Sequence, residues 1–397
     1  MPRTSETTRP FCVSMVRSRL LHSLDVAYQP TPKVRVLGPN GACLLLLLAA
    51  ACASSGPPRV EMEPLVVRAD DDPLTGLDSY DAEKLFATAA EEFEKGAYDR
   101  SVKIYAKLVE EFPESELVSS ARYNAGLAFE KLEAWEEAVA EFAAVVRDFA
   151  GSDLHRDAHF NLARAYGKVK NWAGVADTFW AARQLQPPLG PMDELEARVG
   201  MGVGLFMQDD YATAEREFMR ALRFYDEHEQ KEFLPAKYFI GQARFYLGEI
   251  AARAFEATTL SPPSVGDAET WTQMMGDDLQ AKCQLLLRAQ SNLIRAIRVG
   301  HRGWATAAGF RIGTLYERLF DEMMDVPVPP DLEPDVAEVY REELRERVGV
   351  LVKKAIRVYE MNREMAERVG EQNEWVEKTS LALERMKRLY LANVSDT

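Results

Sequence analysis

Two histidines spaced four residues apart could bind one metal ion if they lay on the same face of a helix. His155 and His159 have this spacing in the segment HRDAH. A metalloprotease site of this type requires a glutamate directly after the first histidine, but Arg156 occupies that position. An internal repeat, described below, also places the two histidines at the ordinary helix positions of Val118 and Arg122. We therefore expect no metal site here.

Other patterns typical of catalysis are weak. The segment GMGVG at 200–204 has neither the GxGxxG spacing nor the preceding strand of a phosphate-binding loop. No catalytic histidine or asparagine signature accompanies Cys283, so we expect a buried, small apolar residue there. The sequence has no nucleophile elbow, P-loop lysine motif or kinase signature. We predict no enzymatic activity, small-molecule substrate or cofactor; a periplasmic enzyme with an unrecognised site is the alternative.

Cys52 follows an uninterrupted apolar run from Ala42 to Ala51, and basic residues precede that run. Ten residues are too few to cross a membrane, which takes roughly 20. The stretch LAAAC at 48–52 resembles the lipobox of bacterial lipoproteins. The resemblance implies that residues 1–51 are a signal peptide, removed after Ala51, and that the Cys52 thiol carries a covalent lipid. Ordinary signal cleavage without a lipid is the alternative.

The residue after the lipobox cysteine gives an expectation of location. Ala53 stands where an aspartate would favour retention in the inner membrane. The resemblance thus implies anchoring at the periplasmic face of the outer membrane. Cys52 lies far from Met1 for such a signal, and we expect translation to start later, at Met15 or at a valine codon such as Val34.

Composition limits the possible partners. Removing residues 1–51 leaves 42 basic and 61 acidic residues, a net charge of −19. Such a surface repels phosphate backbones, so we expect no nucleic-acid partner. Cys283 would be the single cysteine of the folded part, which gives no disulfide framework. Residues 52–80 are rich in Pro, Gly, Ser and Asp without a sustained period, and they predict a flexible tether behind the lipidated Cys52.

From Asp81 onward the sequence repeats itself with an offset of 37 residues. Aromatic or small residues recur at the matched positions, as in the sets Tyr98/Trp135/Trp172, Tyr105/Phe142/Phe179 and Ser101/Ala138/Val175. A further copy follows at an offset of 39. Each copy predicts two helices joined by a short turn, with small residues where the helices approach and large ones between neighbouring pairs. The pattern predicts an all-α solenoid of about six helix pairs.

The repeats divide the chain into a regular array at 81–226 and a divergent helical region at 227–397. A tracer string of first helices, AxYxxG, starts at Ala121 and recurs in variant form as far as Ala308. Within the divergent region, the segment 258–275 predicts a long insertion loop. A long helix is predicted from about 335 to 368, between Pro334 and Gly370, and a last helix with Trp375, Leu383, Met386 and Tyr390 is predicted to cap the solenoid.

The copies share an aromatic, then mostly a small residue, then a second aromatic four residues later and a loop often marked by Pro, which resembles the tetratricopeptide repeat (TPR). The segment FPES…ARYNAG at 112–126 is similar to segments of envelope TPR lipoproteins, such as BamD of the β-barrel assembly machinery, and of the periplasmic cell-division coordinator YbgF. The segment KAIRVYEMNREMAERVGEQNEWVEKT resembles TPR lipoproteins of the gliding-motility apparatus of myxobacteria. These resemblances imply a right-handed helical-hairpin solenoid that acts as a scaffold in a trans-envelope motility or transport complex. An accessory role in barrel assembly is the alternative.

The TPR resemblance also implies where partners bind. First helices of this family line a concave groove that takes envelope proteins or peptides. The corresponding residues are Tyr123, Asn124, Phe160, Asn161, Arg164, Lys168, Tyr238, Gln242 and Phe310. The alternative for the aromatic residues is that they form the core between repeats. A clamp for peptide carboxylates is not expected, because Phe86 and Ala90 replace the Lys and Asn it requires.

Overall fold

The structure is a computed structural model that describes residues 65–67, 74–77, 79–229, 235–260, 268–329 and 332–395. This part of the chain contains thirteen α-helices and one pair of short strands. Cys52 and the predicted signal peptide at 1–51 lie outside the described residues.

Twelve of the helices form six consecutive hairpins, and the thirteenth covers the last one. Each helix packs against the next in sequence, and first helices of several neighbouring hairpins also touch. The hairpins are α1 (Ala82–Glu94) with α2 (Tyr98–Glu111), α3 (Val118–Lys131) with α4 (Trp135–Asp148), α5 (His155–Lys168) with α6 (Trp172–Ala182), α7 (Pro191–Phe206) with α8 (Tyr211–Glu229), α9 (Lys237–Ala257) with α10 (Ala268–Val299), and α11 (Arg302–Asp325) with α12 (Pro334–Val369); α13 is Glu374–Ser395. The predicted all-α hairpin solenoid is confirmed.

In each of the first four hairpins, the turn between the two helices contains a residue with left-handed backbone geometry. This residue lies two positions before the aromatic that starts the second helix. The φ angles are 78° at Gly96, 57° at Glu133, 58° at Lys170 and 62° at Asp209. The following N–H then donates to a carbonyl five residues earlier, as from Ala134 to Phe129 at 3.0 Å. This bond satisfies a carbonyl that the helix end leaves unpaired.

Glycines in the first helices receive aromatic rings from the second helices. A Cβ at Gly126 would lie 2.6 Å from the Phe142 ring, and one at Gly202 would lie 2.6 Å from Phe218. Both rings are fully buried. The predicted role of small residues in close helix approach is thus confirmed at these two hairpins.

The predicted flexible tether at 52–80 is wrong for its C-terminal part. Strand β1 (Val66–Val67) pairs antiparallel with β2 (Ser79–Tyr80). The Tyr80 side chain is fully buried, and its ring meets that of Phe112 edge-on at 6.5 Å. Leu74 and Leu77 pack against the same cluster. These apolar side chains fold the segment onto the first hairpin, although it has no sustained period in sequence.

The predicted loop at 258–275 is too long. Helix α10 begins at Ala268, so residues 268–275 form its first turns. Trp271 is buried, and Leu279 packs against the C-terminal core, which gives apolar positions eight residues apart on one helix face. Residues 258–260 are non-helical, and 261–267 lie outside the described residues.

The predicted C-terminal helices are confirmed. Pro334 is the first residue of α12, and Gly370 ends it with φ 65°. Leu383 and Met386 of α13 are buried against the preceding hairpins, as a capping helix requires. Cys283, predicted as buried, is half-buried beside this same core.

A fully buried lysine joins three helices of the divergent region. Lys282 of α10 donates from Nζ to the carbonyl of Phe255 at 2.8 Å and to that of Thr258, both at the C-terminal end of α9. The same Nζ lies 2.6 Å from an Oε2 of Glu322 in α11 and 4.2 Å from the centre of the Phe255 ring. Lys282 therefore neutralises the end of one helix and a carboxylate of another.

Candidate functional site

The predicted binding residues all belong to first helices of hairpins. Tyr123 and Asn124 lie on α3, residues 160–168 on α5, Tyr238 and Gln242 on α9 and Phe310 on α11. We call the surface formed by α3, α5, α7, α9 and α11 the first-helix face. The side chains predicted to line it fall into two groups, one that packs in the core and one that is exposed.

Tyr123 and Asn161 belong to the core, which differs from their predicted exposure in a groove. Both are buried, and Asn161 Nδ2 donates to the Tyr123 hydroxyl at 3.0 Å. Burial raises the pKa of Tyr123 to about 12, and the charge of Asp157 adds to this shift. Asn124 makes the related bond to the Tyr105 hydroxyl at 3.2 Å. The two asparagines satisfy buried phenols between helices, because a lone buried hydroxyl would be costly.

Phe160 and Phe310 are half-buried packing residues. The Phe160 ring meets Phe179 edge-on at 5.8 Å. The Phe310 ring lies 6.1 Å from that of Tyr359 and 5.8 Å from that of Trp375, and so links α11 to α12 and α13. Gln242 is half-buried on α9. The alternative reading of the aromatics as inter-repeat core therefore describes both phenylalanines well.

Arg164, Lys168 and Tyr238 are the exposed members of the predicted set. Arg164 donates to the carboxamide oxygen of Asn161, and its Nε lies 3.9 Å from Oε1 of Glu130. Lys168 places Nζ 5.0 Å from the centre of the Trp135 ring. These contacts position both cations at the surface while leaving each guanidinium or ammonium group partly open to solvent.

Three carboxylates of the first-helix face escaped the sequence-based prediction. Burial raises the pKa of Glu130, Asp193 and Glu196, and the positive charge of Arg164 opposes the shift at both glutamates. Arg164 thus lies within electrostatic reach of carboxylates on both neighbouring first helices, α3 and α7. No sequence signal distinguished them, because acidic residues are common on the solvated faces of helices.

Tyr238 forms the aromatic end of this charged surface. Its side chain is 45% exposed, and its ring lies 5.2 Å from that of His301 and 5.7 Å from that of Trp304. Burial raises the pKa of Tyr238, and the nearby charge of Glu196 raises it further. Arg164, Glu196 and Tyr238 therefore lie on three successive first helices, α5, α7 and α9, and the Glu196 charge is within electrostatic reach of both other side chains.

Both histidines of the HRDAH segment are engaged with backbone groups. A His155 Nε2 lies 3.1 Å from the carbonyl of Val146, and Nδ1 of His159 lies 2.9 Å from the carbonyl of His155. His159 is buried, which lowers its pKa. Within the described ranges no group of three or more His, Cys, Asp or Glu residues has the geometry to hold a metal ion. None of the described helices is both long and apolar enough to cross a membrane.

Comparison with known families identifies one repeat. Residues 120–152 match the family model of the tetratricopeptide repeat, and this span covers most of α3, its turn and α4. No curated protein sequence matches the chain. The chain thus contains a tetratricopeptide repeat, and five further helical hairpins lie on both sides of it.

Several solved structures share parts of this arrangement at low similarity. A fragment of MamA from Desulfovibrio magneticus is 22% identical over 38% of this chain and 78% of its own, with a TM-score of 0.31. YrrB, described as a TPR protein with an unusual peptide-binding site, is 16% identical over 53% of this chain and 86% of its own, with a TM-score of 0.35. A tetratricopeptide repeat protein from Parabacteroides merdae is 12% identical over 77% of this chain and 98% of its own, with a TM-score of 0.36.

Proposed function

We propose that this protein is a non-enzymatic scaffold that binds partner proteins through its first-helix face and is anchored by a lipid on Cys52 to the periplasmic side of the outer membrane. The observation that supports binding most directly is the series Arg164, Glu196 and Tyr238, in which the cation and the aromatic ring are exposed and the carboxylate is half-buried. Tyr238 contacts His301 and Trp304 yet remains 45% exposed, and exposed aromatic side chains of this kind are frequent in protein interfaces.

The charges of this face favour a partner segment with basic side chains. Glu130, Asp193 and Glu196 have raised pKa values because burial disfavours their charged form. A lysine or arginine of a partner would stabilise these carboxylates, and its aliphatic stem could cover the Tyr238 ring. Arg164 would then fix the register by excluding a second cation beside it.

The proposed site can be tested with two surface variants and one matched control. Tyr238→Ala and Arg164→Glu alter the first-helix face, and Trp180→Ala removes an aromatic side chain of α6 that is 55% exposed. Partners would be identified by crosslinking in membranes, purification through a C-terminal tag and quantitative mass spectrometry. We expect the first two variants to lose the partners that the wild-type protein and Trp180→Ala retain. Equal recovery from all four proteins would contradict binding at this face.

The same purification tests the cellular role. We propose a place in a trans-envelope motility or transport complex, on the basis of the C-terminal resemblance. Recovery of a distinct trans-envelope set would support that role, whereas recovery of barrel-assembly components would replace it with the accessory role in barrel assembly.

The lipid anchor has its own test. Cys52→Ser removes the thiol that would carry the lipid, and we expect this variant to leave the membrane fraction without detergent while the wild-type protein remains bound. Release of the wild-type protein without detergent would overturn the anchor.

A further inference from the structure

We propose a second interaction surface, on helix α8, that binds an acidic segment of a partner protein. Three arginines and a methionine recur at intervals of three and four residues along this helix, namely Arg216, Met219, Arg220 and Arg223. All four are exposed, and with Ala212 and Glu215 they line an open cleft of about 470 Å³. This surface belongs to a second helix of its hairpin and is separate from the first-helix face.

The opposite side of α8 explains why the arginines are held outward. Ala214, Phe218, Ala221 and Leu222 are buried in the core of their hairpin. Because residues three and four apart share one side of a helix, packing of this apolar side directs the arginine side toward solvent. The arginine side is thus a fixed surface.

The arginine side concentrates positive charge on a protein whose net charge is −15. Arg220 pairs with the buried Glu217, whereas Arg216 donates at 2.8 Å to the neutral hydroxyl of Thr213. Within the described part of the chain, neither Arg216 nor Arg223 forms an ion pair with a carboxylate. Like charges at helical spacing destabilise a helix by a few tenths of a kcal/mol per pair, so folding alone does not favour this arrangement.

A fourth arginine extends the surface onto the next hairpin. Arg288 of α10 places an Nη atom 2.5 Å from Oε1 of Glu215, at the edge of the cleft. That contact also shows the chemistry the surface accepts, since a carboxylate already binds at its edge. Guanidinium groups bind carboxylates through paired hydrogen bonds, and the flexible Met219 side chain, 47% exposed, can cover an apolar residue of the partner.

The local charge pattern favours a narrow acidic segment over an anionic membrane. Asp226 and Glu227 lie three and four residues after Arg223 on α8, and both are exposed. A wide anionic surface would meet these carboxylates together with the arginines, whereas a peptide within the cleft would meet the arginines and one carboxylate, Glu215, which is already paired with Arg288. The surface therefore fits a partner segment of Asp or Glu residues with an interspersed apolar side chain.

The test is fluorescence anisotropy of a labelled peptide of Glu and Leu residues titrated with the full chain in detergent, with the same peptide carrying Gln in place of Glu as control. We expect the Glu peptide to bind more tightly than the Gln peptide, and added salt to weaken it. Reversing two charges with the double variant R216E/R223E should weaken Glu-peptide binding by at least about tenfold, the equivalent of roughly 1.4 kcal/mol. Arg345→Glu, at an exposed position of α12, should leave it unchanged.

Three results would overturn the proposal: equal binding of the two peptides, full binding by R216E/R223E, or a defect in that variant confined to anionic vesicles of phosphatidylglycerol. Tyr238→Ala separates the two surfaces. If the α8 surface is independent, this variant keeps Glu-peptide binding while it loses the partners of the first-helix face. Circular dichroism of R216E/R223E should match the wild-type spectrum, because both side chains are exposed and their loss leaves the core intact.

Discussion

Replacing Lys282 by methionine should destabilise the divergent region strongly, because the lysine is fully buried yet charged. Methionine has a similar length and no charge, so the substitution removes the ammonium group while filling most of its volume. It leaves Glu322 without one of its two cations and the carbonyl groups of Phe255 and Thr258 without their donor.

The size of the effect follows from these contacts. Breaking one partner of a buried ion pair costs roughly 3–5 kcal/mol. Here the cost is smaller, because Glu322 is 18% exposed and keeps Arg318, whose Nε lies 2.6 Å away. The two carbonyls lie at a helix end, where loss of a donor costs about 1–3 kcal/mol when water cannot replace it. We therefore expect Lys282→Met to lower the free energy of unfolding by about 3 kcal/mol.

The chain provides a closely matched control in Lys378. Its Nζ also lies 2.6 Å from a glutamate, Glu374, and 4.4 Å from the centre of an aromatic ring, that of Trp375. The difference is exposure, since 45% of the Lys378 side chain is open to solvent and none of Lys282 is. Exposed pairs contribute at most about 1 kcal/mol, so Lys378→Met should change stability by less than that.

Urea unfolding followed by circular dichroism would measure both variants, and amide hydrogen exchange would locate the change. Because repeat proteins can open locally, loss of protection should concentrate in α9, α10 and α11. Equal stability of Lys282→Met and Lys378→Met would refute the reasoning that burial makes the lysine contacts essential. A double variant, K282M/E322Q, should regain part of the lost stability, because it removes a largely buried carboxylate that has lost one of its two cations.

Three further predictions concern backbone geometry, pH and close packing. Glu133→Gly should raise the free energy of unfolding by about 0.5–1 kcal/mol in urea titrations, because the native φ of 57° strains any residue except glycine; no gain would mean that the turn is unstrained. Glu196→Gln should raise the melting temperature at pH 7 but not at pH 4. Because folding raises the pKa of this carboxyl group, its contribution to stability is present below the unfolded-state pKa and is lost as pH rises through the folded-state pKa. An equal effect of the substitution at both pH values would contradict the raised pKa. Gly313→Ala should lower the free energy of unfolding by about 1–2 kcal/mol, because the new Cβ would lie 2.2 Å from the buried Tyr359 ring. The control Gly349→Ala places its Cβ where no atom lies within 4 Å, so it should leave stability unchanged or raise it. Equal effects of the two substitutions would show that α12 shifts freely.

Periodicity predicted the hairpins well, because each repeat supplies the same physical information several times. The aromatic that starts a second helix, the small residue opposite it and the left-handed turn recur from Tyr98 to Tyr211, so one ambiguous position is corrected by its equivalents. Where a structural feature occurs only once in the chain, the prediction from sequence was less accurate. The strands around Tyr80 and the first turns of α10 near Trp271 depend on single tertiary contacts, and no repeated sequence position indicates these contacts.

The candidate site was harder to predict for a related reason. A repeat position predicts which way a side chain points, but the exposure of that side chain depends on which residues of the neighbouring helix pack against it. Tyr123 was expected at the surface, yet Asn161 of the next hairpin meets its hydroxyl and both are buried. The carboxylates were missed because acidic residues are common on solvated helix surfaces, and only the folded surroundings distinguish Glu196, with its raised pKa, from these.

The presence or absence of a direct cationic partner for a desolvated carboxylate distinguishes contacts that serve folding from groups that serve binding. Glu249 of α9 is also buried with a raised pKa, but Arg311 of α11 donates to it at 2.6 Å and compensates its desolvation directly. Glu196 has no such bond among the described contacts, only the more distant charge of Arg164. A carboxylate that is desolvated without a direct cationic partner lowers the stability of the free protein. Its retention on the first-helix face beside an exposed tyrosine is accounted for if a partner supplies the missing cation.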